Sequence, residues 1–153
     1  MILIGIDPAF RVNGFGICSI DTQEKTVRFI RVKRFLEFIS FAQNEMPIDR
    51  VKVTVENSNL QNITFDMRGN KNEIARKSRN VGANQAISQT VYDLCCDILG
   101  KKNVKEISPA QKGAKQPLSM LQAVCRRYNW SCDYTKIKQD DIDAFFIALK
   151  GMY

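Results

Sequence analysis

The sequence of 153 residues contains no histidine. Without imidazole there is no Ser-His-Asp or Cys-His nucleophile system, no H-E-x-x-H zinc protease, no Cys2His2 finger and no histidine general base. Any chemistry falls to carboxylates, lysines, thiols and hydroxyls. The five cysteines, Cys18, Cys95, Cys96, Cys125 and Cys132, include no C-x-x-C pair and are odd in number. Neither a zinc knuckle nor a complete disulfide framework is indicated, and a reducing, cytoplasmic setting is expected. No apolar run approaches the roughly 18 residues of a membrane span, and the start, MILIGIDPAF, lacks a basic segment of the kind that opens a signal peptide, so no membrane partner is expected.

What is present is positive charge. There are 23 Lys and Arg against 16 Asp and Glu, net +7, with a pI near 9.3. A polyanion, most often nucleic acid, is the partner such a balance favours. The charge is uneven: residues 57–79 carry net +3, residues 101–127 net +6, and the rest net −2. A purely solubilising charge would be dispersed, so two basic segments are expected to hold the polyanion. At this length one domain spans the chain, with about 68–70% of its unfolded surface buried.

Residues 1–7 read as an apolar strand buried on both faces. Strands over 14–20 and 26–32 should complete an antiparallel meander. Phe35, Phe38, Ile39 and Ala42 define an amphipathic helix, and RVKVTVE at 50–56 alternates as a fourth strand. A second helix carries Ile87, Val91, Leu94 and Ile98 and stops at Gly100, a fifth strand covers 104–107, and helices start at Pro117 and Gln139. The order predicts an α/β fold in which a five-stranded mixed sheet is flanked by helices on both faces.

Asp7 and Glu56 each end an apolar strand. Strand carboxyl ends are where open α/β sheets place ligands, although a terminal acid often only solvates the strand. If the two strands are parallel neighbours, both carboxylates reach one edge. Near the start of the last helix, Asp140 and Asp143 share a face, with Asp141 turned about 100° away. First-turn acids are ordinary helix starters, but the six apolar residues after Asp143 draw it toward the core, where a buried acid needs a cation. Four converging carboxylates would form an oxygen-only site suited to Mg²⁺ or Mn²⁺, and two ions roughly 3.5–4 Å apart could promote phosphodiester hydrolysis.

The residues also resemble a known family. GIDPAFRVNGFGI at 5–17 is similar to the opening motif of the RuvC Holliday junction resolvases. VTVEN at 53–57 resembles the strand bearing that family's glutamate, VGANQA at 81–86 its L-G-Q-A-R-G segment, and DDIDAFFIA at 140–148 its D-A-A-D-A-L-A-I-A helix. The four motifs occur in the family's order and span nearly the whole chain. The resemblance implies an RNase H-like fold, Asp7, Glu56, Asp140 and Asp143 as catalytic and metal-binding acids, two Mg²⁺ per site, and a homodimer. It further implies paired cuts in opposed strands of four-way DNA, and of other branched forms, leaving 5′-phosphates and 3′-hydroxyls.

The expected DNA contacts are Arg11, the basic residues Arg68, Lys71, Arg76, Lys77 and Arg79 in an enlarged loop over 57–79, and Lys112 and Lys115 in place of the family's two lysines. Ala9 replaces a customary glycine, and Asn59 stands where the family often has a junction-stacking aromatic, for which Leu60 or Phe65 could substitute. Gly-Ile-Asp also resembles the first phosphate motif of sugar kinases and actin-like ATPases, but those need two lobes and far more residues. A ribonuclease of the RNase H or YqgF type, and a branched-DNA-binding protein without catalysis, are the other readings.

Overall fold

The computed structural model describes residues 1–8, 14–46, 48–60 and 68–152. Strands β1 (Ile2–Asp7), β2 (Phe15–Asp21) and β3 (Thr26–Val32) form the expected antiparallel meander. Helix α1 (Phe35–Glu45) then leads to β4 (Val51–Glu56), which lies parallel to β1 and beside it. Helix α2 (Lys71–Leu99) crosses to β5 (Val104–Ile107), parallel to β4. The short helix α3 (Pro109–Lys112), α4 (Leu118–Tyr128), strand β6 (Ser131–Cys132) and α5 (Gln139–Leu149) complete the fold.

The sheet has six strands, in the order β5-β4-β1-β2-β3-β6, and not the five that the sequence predicts. The sixth is two residues long, too short for any alternation to announce it. It is made by the end of α4, where Asn129 takes the left-handed conformation (φ 56°) and turns the chain so that Ser131 N–H donates to Lys25 O at 2.7 Å.

Alternation along the strands divides the core in two. Ile4, Ile6, Ile17, Val53 and Val55 face α1 and α2, meeting Phe38, Val91, Cys95 and Leu99. Leu3, Cys18, Ile20 and Val27 face α4 and α5, meeting Leu121, Cys125, Ala144 and Phe145. Helix α5 lies directly on β1. A Cβ at Gly5 would overlap the backbone of Ala144 and Ala148, so only glycine permits this approach.

The second helix differs from its expectation. Its buried residues, Ser88, Val91, Cys95 and Leu99, lie in the predicted half, but the helix begins at Lys71. Asn70 accepts from Glu73 N–H at 3.0 Å, and Glu73 in turn caps the Asn70 N–H. Residues 71–79 are therefore the first turns of a 29-residue helix, not part of an enlarged loop. Among the described residues, no helix is long and apolar enough to cross a membrane.

Candidate active site

Because Ile6 pairs with Val55 in the parallel ladder, the next residues, Asp7 and Glu56, emerge side by side on the face covered by α5. Both are buried. The first turn of α5 brings Asp143, also buried, to the same place.

The cation that these acids require is Lys112, the last residue of α3. Its ammonium lies 2.6 Å from Glu56 Oε2, 3.5 Å from Asp143 Oδ2 and 3.7 Å from Asp7 Oδ2. The α3 helix is set by a capping box between Ser108 and Gln111, with Pro109 in the first turn. It follows β5, the neighbour of β4, and so delivers Lys112 to the strand ends. Gln139 Nε2 donates to the other oxygen of Asp143 at 2.8 Å.

Asp140, the fourth expected acid, is held differently. Its Oδ2 is 3.5 Å from Arg31 Nη1, while Arg31 Nη2 donates to Asp141 Oδ1 at 2.7 Å. Asp141 Oδ2 accepts from the Lys138 N–H at 2.8 Å, so this buried acid both caps α5 and binds a cation. Sheet register explains the arrangement. Asp7 pairs with Gly16, and Gly16 with Arg31, so one row runs Glu56, Asp7, Gly16, Arg31. A Cβ at Gly16 would stand 3.0 Å from Asp140 O and 3.4 Å from Asp141 Oδ1, so the missing side chain makes room for α5 between the acids and Arg31.

Burial pushes the Asp7 carboxyl up to about 6, from an ordinary 3.8. Lys112 pulls it down, but Glu56, Asp143 and Asp140 add to the rise. Burial also works against the charged form of Lys112, yet Asp7, Glu56 and Asp143 outweigh it and hold the ammonium above its usual pKa.

The donor set is oxygen-only and anionic, which fits a hard divalent cation. Glu56 Oε2 is buried and, beyond its ion pair with Lys112, accepts no hydrogen bond, so its bonding capacity is not filled. With Lys112 at the point of convergence, no group of three or more Asp, Glu, His or Cys among the described residues has the spacing of a ready-made cation site.

The other expected site residues lie elsewhere. Lys71, Arg76, Lys77 and Arg79 are exposed on the first turns of α2, with Arg68 just before them. Lys115 is exposed beyond α3. Lys112, expected at the DNA surface, is instead committed to the acids, with 16% of its side chain exposed. Arg11 and Phe65 lie outside the described residues. Asn59 is tied down by bonds to Asn57 Oδ1 and Gln85 O, whereas Leu60 is 46% exposed.

Two residues that sequence reasoning did not assign, Arg31 and Asp141, belong to the site. The only readable signal for Arg31 was Gly16, a bare position opposite it in the meander. Asn57, fully buried behind Glu56, braces the strand end by donating to Gln89 Oε1 and Glu106 Oε2. Compared with known protein families the chain matches none, and no curated protein emerges as a relative.

Proposed function

We propose that the protein is a structure-selective DNA endonuclease with an RNase H-like fold, which resolves four-way and other branched junctions by paired phosphodiester hydrolysis. One observation carries this reading: acids from three separate elements, Asp7 of β1, Glu56 of β4 and Asp143 of α5, meet around one buried ammonium in a net-positive chain. Acids that only solvated strand ends would point to water and would not share a cation. The meander followed by two parallel strands, with acids closing the central strand and its neighbour, supports the RNase H-like assignment. The four ordered motifs shared with the RuvC resolvases supply the substrate class.

Asp7, Glu56, Asp140 and Asp143 would hold Mg²⁺ or Mn²⁺. Bound there, such cations supply Lewis acidity that activates water and stabilises the leaving oxygen. The chain's own groups prepare the site. Lys112 keeps three buried carboxylates together, Gln139 orients Asp143, and Arg31 holds Asp140 at the edge of the cluster. Five carboxylates against Lys112 and Arg31 would by themselves repel a phosphodiester, so the exposed cations of α2 and Lys115 serve to hold the DNA. Two copies would present two sites to opposed strands.

The test is incubation with an end-labelled four-way junction, a linear duplex and an RNA–DNA hybrid, each in Mg²⁺ or in EDTA. Paired, metal-dependent nicks in the junction are expected. Equal cutting of the hybrid points to the ribonuclease reading, and junction binding without any cutting to the non-catalytic one.

A further inference from the structure

One edge of the sheet is only half covered. Lys25 O accepts from Ser131 N–H, and the ladder of β3 with β6 stops at the pair Val27–Cys132. Backbone groups alternate sides along a strand, so those of Phe29 and Arg31 point the same way as the groups that β6 pairs. Among the described residues no backbone partner from another segment reaches them. The sequence ends the pairing at a defined point. Asp133 Oδ1 accepts from Thr135 N–H at 2.9 Å and from Thr135 Oγ1 at 2.8 Å, a turn that carries the chain away from β3.

This departure leaves a groove of ≈ 500 Å³, with Arg28, Phe29 and Arg31 on the strand side and Thr135, Lys136 and Ile137 on the other. Phe29 and Ile137 are half-buried and join the apolar cluster under α4 and α5, so the groove has an apolar floor. Its acids are already engaged: Asp133 in the turn, and Asp141 with Arg31 and the Lys138 N–H. Exposed Arg28 and Lys136 make the rim cationic, and Arg28 meets only Glu45, at 4.0 Å and in solvent, which holds it weakly.

We propose that this groove takes an extended, acidic peptide segment of a partner protein, which adds to β3 along the line that β6 abandons. The backbone decides the class of partner. Phe29 and Arg31 each offer an N–H and a C=O, and another polypeptide backbone supplies acceptors and donors at the matching spacing. The phosphate backbone of DNA has no donor, so it would leave both carbonyls unpaired. A second copy of the chain would bring an identical edge with its own Arg28, Lys33 and Lys136, and like charges set opposite one another are destabilising. The uncovered stretch, residues 28–32, is about 17 Å long, room for about five extended residues. Alternate side chains of such a segment would meet Phe29 and Ile137, and the others Arg28, so apolar residues alternating with acids fit it. The proposal does not rest on the nuclease reading.

The test follows backbone amides of the full chain by NMR and hydrogen exchange, with a capped peptide of alternating glutamate and valine, Glu-Val-Glu-Val-Glu-Val-Glu, as the probe. In the free chain the Phe29 and Arg31 amides should exchange faster than those of Arg28 and Ile30, which face β2. The peptide should shift the Phe29 and Arg31 signals saturably and slow their exchange. Two analogues separate strand addition from charge attraction, one N-methylated at every valine and one at every glutamate. An added strand uses one edge, so one analogue should bind about tenfold more weakly and the other nearly as well as the parent. Arg28→Gln/Lys136→Gln, at exposed positions outside the acid cluster, should weaken binding and reduce its salt dependence. Four results each overturn the proposal: no saturable shift, equal binding by the two analogues, Phe29 and Arg31 amides already protected in the free chain, as a second copy on the edge would make them, or the same shifts with oligothymidine in place of peptide. No step measures cleavage, so failure of this site and failure of the nuclease reading are separately visible.

Discussion

Replacing Asp7 with asparagine should make the metal-free protein more stable while destroying its proposed activity. The folded pKa of about 6 against an ordinary 3.8 means that the native state holds this proton more tightly than the unfolded chain does. The stability linked to the proton is fully present below about pH 3.8 and is lost as pH rises through about 6. Two pKa units correspond to about 3 kcal/mol, of which about 2 kcal/mol falls between pH 4.5 and pH 7. Asparagine mimics the protonated acid at every pH and escapes this loss. The advantage of Asp7→Asn over wild type in EDTA should therefore grow by about 2 kcal/mol across that interval, read from urea denaturation at each pH. Junction cleavage should vanish and junction binding should persist, since a proposed metal ligand and a repulsive charge go together. An advantage that does not change with pH, or that shrinks as pH rises, refutes the reasoning, because burial among acids would then not govern Asp7.

Four further outcomes are expected. Lys112→Met leaves three buried acids without their shared cation and should cost about 3 kcal/mol at pH 8 in EDTA, with Mn²⁺ recovering more of the melting temperature than it adds to wild type; a cost under about 1 kcal/mol would contradict the ion-pair geometry. Arg31→Met removes the cation of buried Asp141 and of Asp140 and should cost about 2–4 kcal/mol in denaturant melts, with Arg31→Lys recovering part of it. Gly5→Ala must push α5 off β1 and should cost at least the 1–3 kcal/mol typical of overpacking, seen as a lowered midpoint or failure to fold. Joint replacement of Arg76, Lys77 and Arg79 by glutamine should weaken DNA binding and flatten its salt dependence by roughly 0.9 per lost phosphate contact; an unchanged slope would place the DNA elsewhere.

The parts of this site legible in the sequence were those encoded locally. Asp7 and Glu56 each end a clean apolar strand, and the amphipathic segment between those strands allows them to lie as parallel neighbours, which they do. The apolar run after Asp143 required that acid to be buried with a cation, and it is. Arg31 was not legible, because its role depends on the β2–β3 register and on Asp141, a partner 110 residues away. Lys112 reads in the sequence as a DNA contact, but its direction is set by a four-residue helix after β5, too short for periodicity to reveal. The early start of α2 left one sign, the Asn70-x-x-Glu73 capping box. The turns after it carry Ile74 as their only large apolar residue up to position 80, so no stripe marks them as helix.

The absence of histidine takes a specific form at the acid cluster. The cluster's cations are the Lys112 ammonium, which Asp7, Glu56 and Asp143 hold above its usual pKa, and the Arg31 guanidinium, paired with Asp140 and Asp141. Asp7, raised to about 6, brings a carboxyl to the pH at which histidine would ordinarily titrate. The two cations are also committed inward, so the net charge of +7 cannot act on a polyanion through them. Exposed Lys71, Arg76 and Arg79 on α2, together with Lys52, Lys102 and Lys115, present positive charge outward instead. On the proposed reading, an anionic centre within a cationic surround would separate holding from cutting. Changes at the surround should therefore alter the salt dependence of binding, and changes at the centre the pH dependence of stability, with little crossing between the two.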